Sequence, residues 1–207
     1  MERADKIIVA GVIASGVWAL ALWPLVPALV ASHPALLEAI RGSAASIVNM
    51  GARARIGETS IVLAVLLAVP SLMMFDWVFW LAGKRWGDRV FVWLLGGESP
   101  RNTRRLARLH RFEARFGSWA VVFAYLLPVP STLIYAAVGD GGMRFRVFFA
   151  LDVLGTLLWT CLLAAAGYAI GRGAVDVADA VARYSLWLAL GFALLAGVWA
   201  ARNRRPV

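Results

Sequence analysis

The sequence has little of the residue types that carry chemistry in most enzymes. It contains one cysteine, Cys161, in 207 residues, so no intramolecular disulfide and no Cys-x-x-Cys redox motif can form. Its two histidines, His33 and His110, are isolated, and neither a His-Glu-x-x-His motif nor a Ser–His pairing occurs. The Gly-x-Gly-Asp signature of intramembrane aspartyl proteases is missing too, because Ala137 replaces its first glycine. We therefore expect no enzyme activity, no cofactor and no metal.

Hydrophobic residues are abundant instead. They make up 61% of the chain, which has a mean hydropathy of +0.74 and ten tryptophans. A soluble domain of this length cannot bury so much apolar surface, so the composition predicts an all-α polytopic membrane protein. The N-terminus mixes charges and no small-residue cleavage site follows, so we expect the first apolar run to be retained. Basic loops that face anionic lipid explain the net charge of +9 without a nucleic-acid partner.

Four apolar stretches are near the ~20 residues that a helix needs to cross a bilayer. They are residues 7–30, 61–82, 147–170 and 185–201. Two weaker segments remain, at residues 34–51 and 118–142. The second carries Pro128 and Pro130 at its middle. Because each proline removes a backbone donor and disfavours helix in the residue before it, this pair predicts a break rather than a plain crossing.

The distribution of Lys and Arg favours two re-entrant hairpins, each of which enters the membrane and returns to the same side. With a cytoplasmic N-terminus, this arrangement puts 16 of the 21 basic residues inside and 5 outside. If residues 118–142 crossed fully, the split would be 13 to 8. The positive-inside rule therefore predicts a multi-pass protein of the inner membrane with two re-entrant hairpins and with both termini in the cytoplasm.

The predicted organisation is a single membrane domain in five parts. These are an N-terminal span (1–33), a first hairpin with its span (34–84), a basic cytoplasmic amphipathic region (85–117), a second hairpin with its span (118–172), and a C-terminal span with a basic tail (173–207). Both hairpin–span units end in aromatic-x-x-Gly-basic, at residues 80–84 and 168–172. Since the hairpins enter from opposite sides, we predict an inverted repeat, a common transporter architecture.

Several motifs resemble those of the DedA/VTT family, also called SNARE-associated Golgi protein-like, over about residues 34–172. They are Asp76-x3-Trp80-x2-Gly83-Lys84-x2-Gly87, Phe116-Gly117, Phe149-x2-Asp152-x2-Gly155-x3-Trp159 and Gly167-Tyr168-x-x-Gly171-Arg172. The resemblance implies two facing re-entrant hairpins flanked by helices. It also implies a polyprenyl phosphate, such as undecaprenyl phosphate, as the substrate.

The sequence departs from the family pattern at the hairpins. Two arginines that family members commonly carry in the second hairpin align with Tyr125 and Ser131. The acidic residue of the family's first hairpin has Glu38 as its nearest counterpart, and the family usually has Asn at Asp152. These departures affect the inference of family activity more than that of the fold.

Two acidic residues, Asp76 and Asp152, lie in otherwise apolar spans. A carboxylate within the membrane costs a few kcal/mol, so it normally faces a cavity, a partner or a proton. Both residues are therefore candidates for proton coupling. A structural role is equally open, because each lies about two turns from a basic end of its span.

The two hairpins supply candidate substrate ligands. Glu38 and Arg41 are three residues apart and share a helix face, where they can form a local ion pair or line a cavity. Tyr125, Ser131 and Thr132 bring hydroxyl groups near the tip of the second hairpin. A helix beginning after the Pro-x-Pro sequence would add its N-terminus, so these groups can bind an anionic headgroup. We predict all five residues as substrate-binding.

The resulting functional prediction is a membrane transporter or flippase for a lipid phosphate, with proton coupling. A proton-coupled transporter of a small solute and a non-transporting scaffold of the cell envelope are the alternatives. The expected partners are membrane lipids, the polyprenyl phosphate and anionic lipid beneath the basic region. Assembly with further copies of the chain is left open.

Overall fold

The computed structural model describes residues 3–87, 89–94, 97, 104, 111, 116–127, 129–181, 183 and 184. In this part of the chain the regular structure is helical, with no β-strand. The helices are α1 (Arg3–Leu22), α2 (Val26–Ser32), α3 (Pro34–Arg41), α4 (Ala44–Arg55), α5 (Ile61–Met73), α6 (Asp76–Trp86), α7 (Arg89–Leu94), α8 (Trp119–Val122), α9 (Ser131–Asp140) and α10 (Phe145–Ile170). Short 3-10 helices lie at Trp23–Leu25 and Ala124–Leu126, and residues 172–181 are also helical.

Three helical stretches are long and apolar enough to cross a membrane: Asp5–Leu22, Ile61–Trp86 and Phe145–Ile170. The second and third agree with the predicted spans and extend them by four and two residues. The predicted span at 185–201, the basic tail and most of the basic region 85–117 lie outside the described residues.

The first predicted span is not one continuous α-helix. Helix α1 ends at Leu22, and a 3-10 helix and α2 follow where the sequence predicted one helix to residue 30. Pro24 and Pro27 stand in the first turns of these two elements. Because neither proline has an amide hydrogen, neither can continue the hydrogen-bond ladder of α1. The backbone keeps right-handed helical angles at Leu22, Leu25 and Val26, so the helical path continues to Ser32, and the N-terminal span over residues 1–33 stays a prediction.

The second span is interrupted at its middle. Helix α5 contains Pro70 and ends at Met73, and α6 begins at Asp76. A proline within a helix removes one hydrogen bond and clashes with the carbonyl of the preceding turn, so helices bend or break nearby. The interruption places Asp76 in the first turn of α6, where the positive end of the helix dipole favours a carboxylate.

The second and third spans run in opposite directions. The end of α6 lies beside the start of α10, since the rings of Trp80 and Phe145 are 5.1 Å apart. The start of α5 lies beside the end of α10, where Ala68 packs in one cluster with Ala164. Residues 87 and 144, which flank the stretch we call the second excursion, therefore lie at the same end of the molecule.

Helix α1 is antiparallel to α6. The Trp86 indole donates a hydrogen bond to Asp5 (3.1 Å), and Ile8 belongs to the same buried cluster as Val78. Because α1 starts beside the end of α6, it runs toward the opposite end of the molecule, which the chain reaches through the 3-10 helix and α2, where Val30 packs with Ala178. Residues 33–60, which we call the first excursion, then leave and return at that opposite end.

Both of these chain excursions reach the middle of the spans. In the first, the Ser71 hydroxyl, midway along the second span, donates to the carbonyl oxygen of Glu38 (2.7 Å). In the second, the ring of Tyr125 stacks on Trp159, midway along α10, with centroids 6.5 Å apart. We call the turn at residues 41–44 the first tip and the turn at residues 124–131 the second tip.

Helices α6 and α9 cross at two glycines. A Cβ atom on Gly83 would lie 1.9 Å from the carbonyl oxygen of Ala136, and one on Gly139 would lie 2.1 Å from that of Trp80. Both distances are far below van der Waals contact, so only glycine lets the two backbones approach this closely. The crossing fixes how deep α9 begins relative to α6.

Helices α4 and α10 cross in the same way. A Cβ atom on Gly51 would lie 2.2 Å from the carbonyl oxygen of Ala164, and one on Gly167 would lie 2.0 Å from that of Val48. In both crossings, each glycine meets the carbonyl of the residue three positions before the opposite glycine. In the second excursion, α9 thus packs on α6 of the second span. In the first excursion, α4 packs in the same way on α10, the third span.

The contacts match Gly83 with Gly167, whereas the end motifs of the sequence matched Gly83 with Gly171. Gly87 and Gly171, four residues further on, end their helices with φ values of +55° and +64°. The predicted match of residues 80–84 with 168–172 is therefore displaced by one helical turn. Aromatic and basic residues collect at any membrane interface, so they do not fix the register of two helices.

Candidate functional site

An acid cluster, consisting of Asp76, Tyr125, Tyr135 and Asp152, lies where α6, α9 and α10 meet the second tip. Asp76 is 7% exposed and Asp152 is 2% exposed. The Tyr125 hydroxyl donates a hydrogen bond to Oδ2 of Asp76 (3.0 Å), and the two carboxyl groups interact electrostatically. The structure therefore brings together three residues that the sequence proposed separately.

Several polar atoms of this cluster have no hydrogen-bond partner within the described part of the chain. They include the Tyr135 hydroxyl, which faces Asp152 and Tyr125 without regular hydrogen-bond geometry, and Oδ1 of Asp152. Thr156 lies one turn beyond Asp152 on the same face of α10, and its hydroxyl is unpaired too. No ion pair to Asp76 or Asp152 occurs among these residues. Unpaired buried polar groups are costly, so this cluster is suited to take up a proton or a polar ligand.

Glu38 and Arg41 lie at the first tip but do not pair with each other. Glu38 is fully buried, and neither of its carboxyl oxygens has a partner in the described residues. The Ser46 hydroxyl faces Glu38 but donates its proton to the Ser43 carbonyl oxygen (2.9 Å).

The predicted ion pair fails because Arg41 turns away from its own helix. The guanidinium carbon lies 5.5 Å from the centroid of the Trp23 ring, and the buried Nη1 atom has no hydrogen-bond partner among the described residues. The spacing of two residues along one helix shows that their side chains can reach each other. It does not show whether a residue from a distant segment, here Trp23, makes a competing contact with one of them. The reading of Glu38 and Arg41 as a local ion pair is therefore wrong.

Ser131 and Thr132 open α9, beside the acid cluster. The cap residue, Pro130, has no side chain that can accept a hydrogen bond from the first turn of the helix. Gly139 faces Gly83 at the crossing. Thr132 lies seven residues before Gly139, and Asp76 lies seven residues before Gly83. Both helices thus begin at a similar depth, and Tyr135 in the second turn of α9 lies near Asp76.

The two tips attach to the same break in the second span. Ser71 binds the first tip through the Glu38 carbonyl and lies five residues before Asp76, which binds the second tip through Tyr125. The seven predicted site residues therefore form two neighbouring groups at mid-span. Asp76, Asp152, Tyr125, Ser131 and Thr132 belong to the second tip, and Glu38 and Arg41 belong to the first.

Some buried polar residues were not predicted. Asn49 donates from its side-chain nitrogen to the Val30 carbonyl and keeps an unpaired Oδ1, and Thr160 donates to the Thr156 carbonyl (2.6 Å). Thr156 and Thr160 follow Asp152 at intervals of four residues. This spacing places the three polar side chains on one face of an apolar helix, a pattern from which the sequence could have predicted that this face is buried and polar. Within the described ranges, no three His, Cys, Asp or Glu residues are grouped as a metal site requires.

The chain matches known proteins over a region that includes the second tip but not residues 41–44 of the first tip. The VTT domain profile matches residues 47–169. The protein DedA of Escherichia coli is 28% identical over 116 residues, which cover 55% of this chain and 51% of DedA. An uncharacterized membrane protein of Mycobacterium tuberculosis is 31% identical over 62 residues, covering 30% of this chain and 27% of that protein. No solved structure matches.

The chain spans about half the length of DedA, the first of these relatives. The profile match covers α4 only from Ile47, but it contains both glycine crossings and the whole acid cluster. It also contains one of the three helical stretches that are apolar enough to cross a bilayer, Ile61–Trp86, and all but the last residue of another, Phe145–Ile170. The chain is therefore a membrane protein that belongs to the DedA/VTT family.

Proposed function

We propose that this protein is a transporter of the cytoplasmic membrane that moves a lipid phosphate, such as a polyprenyl phosphate, between the two leaflets. The observation that carries the proposal is the meeting of two chain excursions at mid-span, where both present buried, unpaired polar side chains. Ionisable groups at this depth of a membrane protein mark substrate paths and proton relays.

We infer that both excursions are re-entrant hairpins and that they form an inverted repeat. The antiparallel spans support this topology, since the chain leaves and returns at one end of the molecule between α6 and α10 and at the other end between α1 and α5. The two matched glycine crossings support the repeat. Non-helical backbone at membrane depth is tolerated where protein buries it or where it lines a polar cavity.

The chemistry of a polyprenyl phosphate suits such hairpins. Its long tail stays in lipid, so only the anionic headgroup needs a polar path. The uncapped N-terminus of α9, with the hydroxyls of Ser131 and Thr132, offers donors to a phosphate, and Arg41 offers a positive charge.

The acid cluster would couple the headgroup to protons. A phosphate at the start of α9 would lie at a similar depth to Asp76, and like charges repel strongly where water is scarce. The headgroup is therefore accepted at the second tip when Asp76 and Asp152 are protonated. Loss of a proton from this pair would expel it, which links the proton gradient to the direction of transport.

Substitution of the proposed ligands should weaken lipid binding. We expect Arg41→Ala to reduce polyprenyl phosphate binding by about tenfold or more, and a Ser131→Ala/Thr132→Ala double change by about fivefold, because charged hydrogen bonds contribute more than neutral ones. Titration of the purified full-length protein in lipid nanodiscs measures both effects. A short water-soluble phosphate should compete weakly, since it lacks the tail.

The control for these variants is Ser15→Ala. The Ser15 hydroxyl donates only to the Val12 carbonyl of its own helix (2.8 Å), so its loss should leave lipid binding unchanged. If the wild-type protein shows no preference for polyprenyl phosphate over phosphatidylcholine, the lipid-phosphate proposal is wrong.

A further inference from the structure

Arg41 is a permanently charged group whose donors are open. It is the last residue of α3, and the following Gly42, with φ +32°, turns the chain at the first tip. Its Nη1 atom is buried, and the guanidinium group makes no hydrogen bond or ion pair with any other described residue. Arginine keeps its proton at physiological pH and carries five N–H donors, so the group is suited to an oxyanion.

Glu38 leaves this charge uncompensated. It lies one turn before Arg41, yet neither of its carboxyl oxygens pairs with the guanidinium group or with any other group within the described ranges. A carboxylate turned to Arg41 would occupy the donors that a ligand needs. The two side chains therefore do not block each other, and the donors of Arg41 face elsewhere.

The guanidinium group of Arg41 lies between the buried interior and the outside of the helix bundle, since its Nη1 atom is buried and the ring beside it is exposed. Arg41 lies against the ring of Trp23 with cation–π geometry, and Trp23 is 70% exposed. In a membrane protein, an apolar surface exposed at this depth is in contact with lipid. Trp18, one turn earlier on the same side, donates its indole hydrogen to the Ile40 carbonyl (3.1 Å) and fastens α1 to the first tip. Arg41 thus connects a lipid-facing aromatic surface with the buried polar tip.

We propose that Trp23 and Arg41 form a lateral portal through which an anionic lipid headgroup reaches the first tip directly from the surrounding bilayer, with its tail lying along Trp23. The inference rests on the proposed function and adds where the lipid arrives. A phosphate monoester can accept two parallel N–H bonds from a guanidinium group. Trp23 is a positioning residue, since its flat ring holds the guanidinium group beside the lipid-facing surface.

A double-mutant cycle tests whether Trp23 acts through Arg41. The full-length protein in phosphatidylcholine nanodiscs is titrated with a short-chain polyprenyl phosphate. Trp23→Ala should weaken binding by about threefold to tenfold, as expected for a partly exposed cation–π contact. Adding Trp23→Ala to Arg41→Ala should weaken it no further, because residues that act as a unit are not additive. Trp23→Phe, which keeps an aromatic face, should retain most of the affinity.

The matched control is Trp77→Ala. Trp77 is also an exposed tryptophan, but its indole donates to the Met74 carbonyl of the preceding turn. Among the described residues, no Lys or Arg side chain packs on its ring. This variant should bind like the wild type. The portal is overturned if Trp23→Ala binds the lipid like the wild type. It is also overturned if the double variant loses affinity by the product of the two single-variant losses.

Photolabelling separates the portal from the proposed function. A polyprenyl phosphate with a diazirine on the first isoprene unit should label the segment of residues 18–41. Labelling confined to residues 119–135 would place the headgroup at the second tip, which overturns the portal and leaves transport standing. A wild-type protein that shows no preference for the lipid phosphate over phosphatidylcholine overturns both.

Discussion

Replacing Gly83 with alanine should destabilise the protein by about 2–3 kcal/mol, the upper range for an overpacked site. The added methyl group would lie 1.9 Å from the Ala136 carbonyl oxygen, and neither backbone can move without shifting a whole helix. Alanine is the better helix former by about 1 kcal/mol, so any net loss reports the crossing itself. Thermal unfolding of the purified protein in one detergent, with size-exclusion profiles, measures the effect.

Gly16→Ala is the control for this experiment. Gly16 lies in α1, and a Cβ atom there would have no neighbour within 4 Å. The same chemical change should therefore be neutral or should stabilise the protein by up to about 1 kcal/mol. Gly83→Ala that unfolds at the same temperature as Gly16→Ala would show that α6 and α9 do not touch in this way.

Asp76→Asn and Asp152→Asn should each abolish proton-coupled transport while the protein still folds. Asparagine has nearly the shape of aspartate, and at residue 76 its side-chain oxygen can still accept the hydrogen bond from Tyr125. It cannot gain or lose a proton at physiological pH, so a cluster that works by protonation loses its function. Uptake of lipid phosphate into proteoliposomes, measured across a range of imposed pH gradients, gives the result.

Asp179→Asn provides the comparison for the two acids. Asp179 is exposed and forms a surface ion pair with Arg53 (3.4 Å), a kind of contact that contributes little. Its variant should transport like the wild type. If Asp76→Asn and Asp152→Asn both keep normal transport with normal pH dependence, the buried acids are structural and the coupling mechanism is wrong.

Much of the architecture could be predicted because it follows from local rules. Long apolar runs predicted the two spans that α5–α6 and α10 form, and Pro128 and Pro130 predicted a break in the second excursion. The charge distribution predicted that this excursion turns back within the membrane, which stays a prediction. Asp76 and Asp152 stood out because carboxylates are rare in apolar segments.

What could not be predicted depends on contacts between distant segments. The turn of Arg41 toward Trp23 joins residues 18 positions apart and leaves Glu38 without its expected partner. The match of Gly83 with Gly167 depends on which backbone each glycine meets, and the sequence does not contain that information. The apolar run around Pro24 favoured one continuous helix over residues 7–30, so the end of α1 at Leu22 was not predicted from the sequence.

Transport through two meeting tips requires that the chain between α6 and α10 turns back within the membrane. Accessibility of single cysteines in intact cells tests this requirement most directly, after Cys161→Ser. The exposed positions Lys84 and Arg144 flank the second excursion, and the exposed Glu58 lies between α4 and α5. Lys84→Cys and Arg144→Cys should react with a membrane-impermeant maleimide only from the cytoplasm, and Glu58→Cys only from outside. Reaction of Lys84→Cys and Arg144→Cys from opposite sides would contradict the re-entrant hairpin, and with it the meeting of the two tips at mid-span.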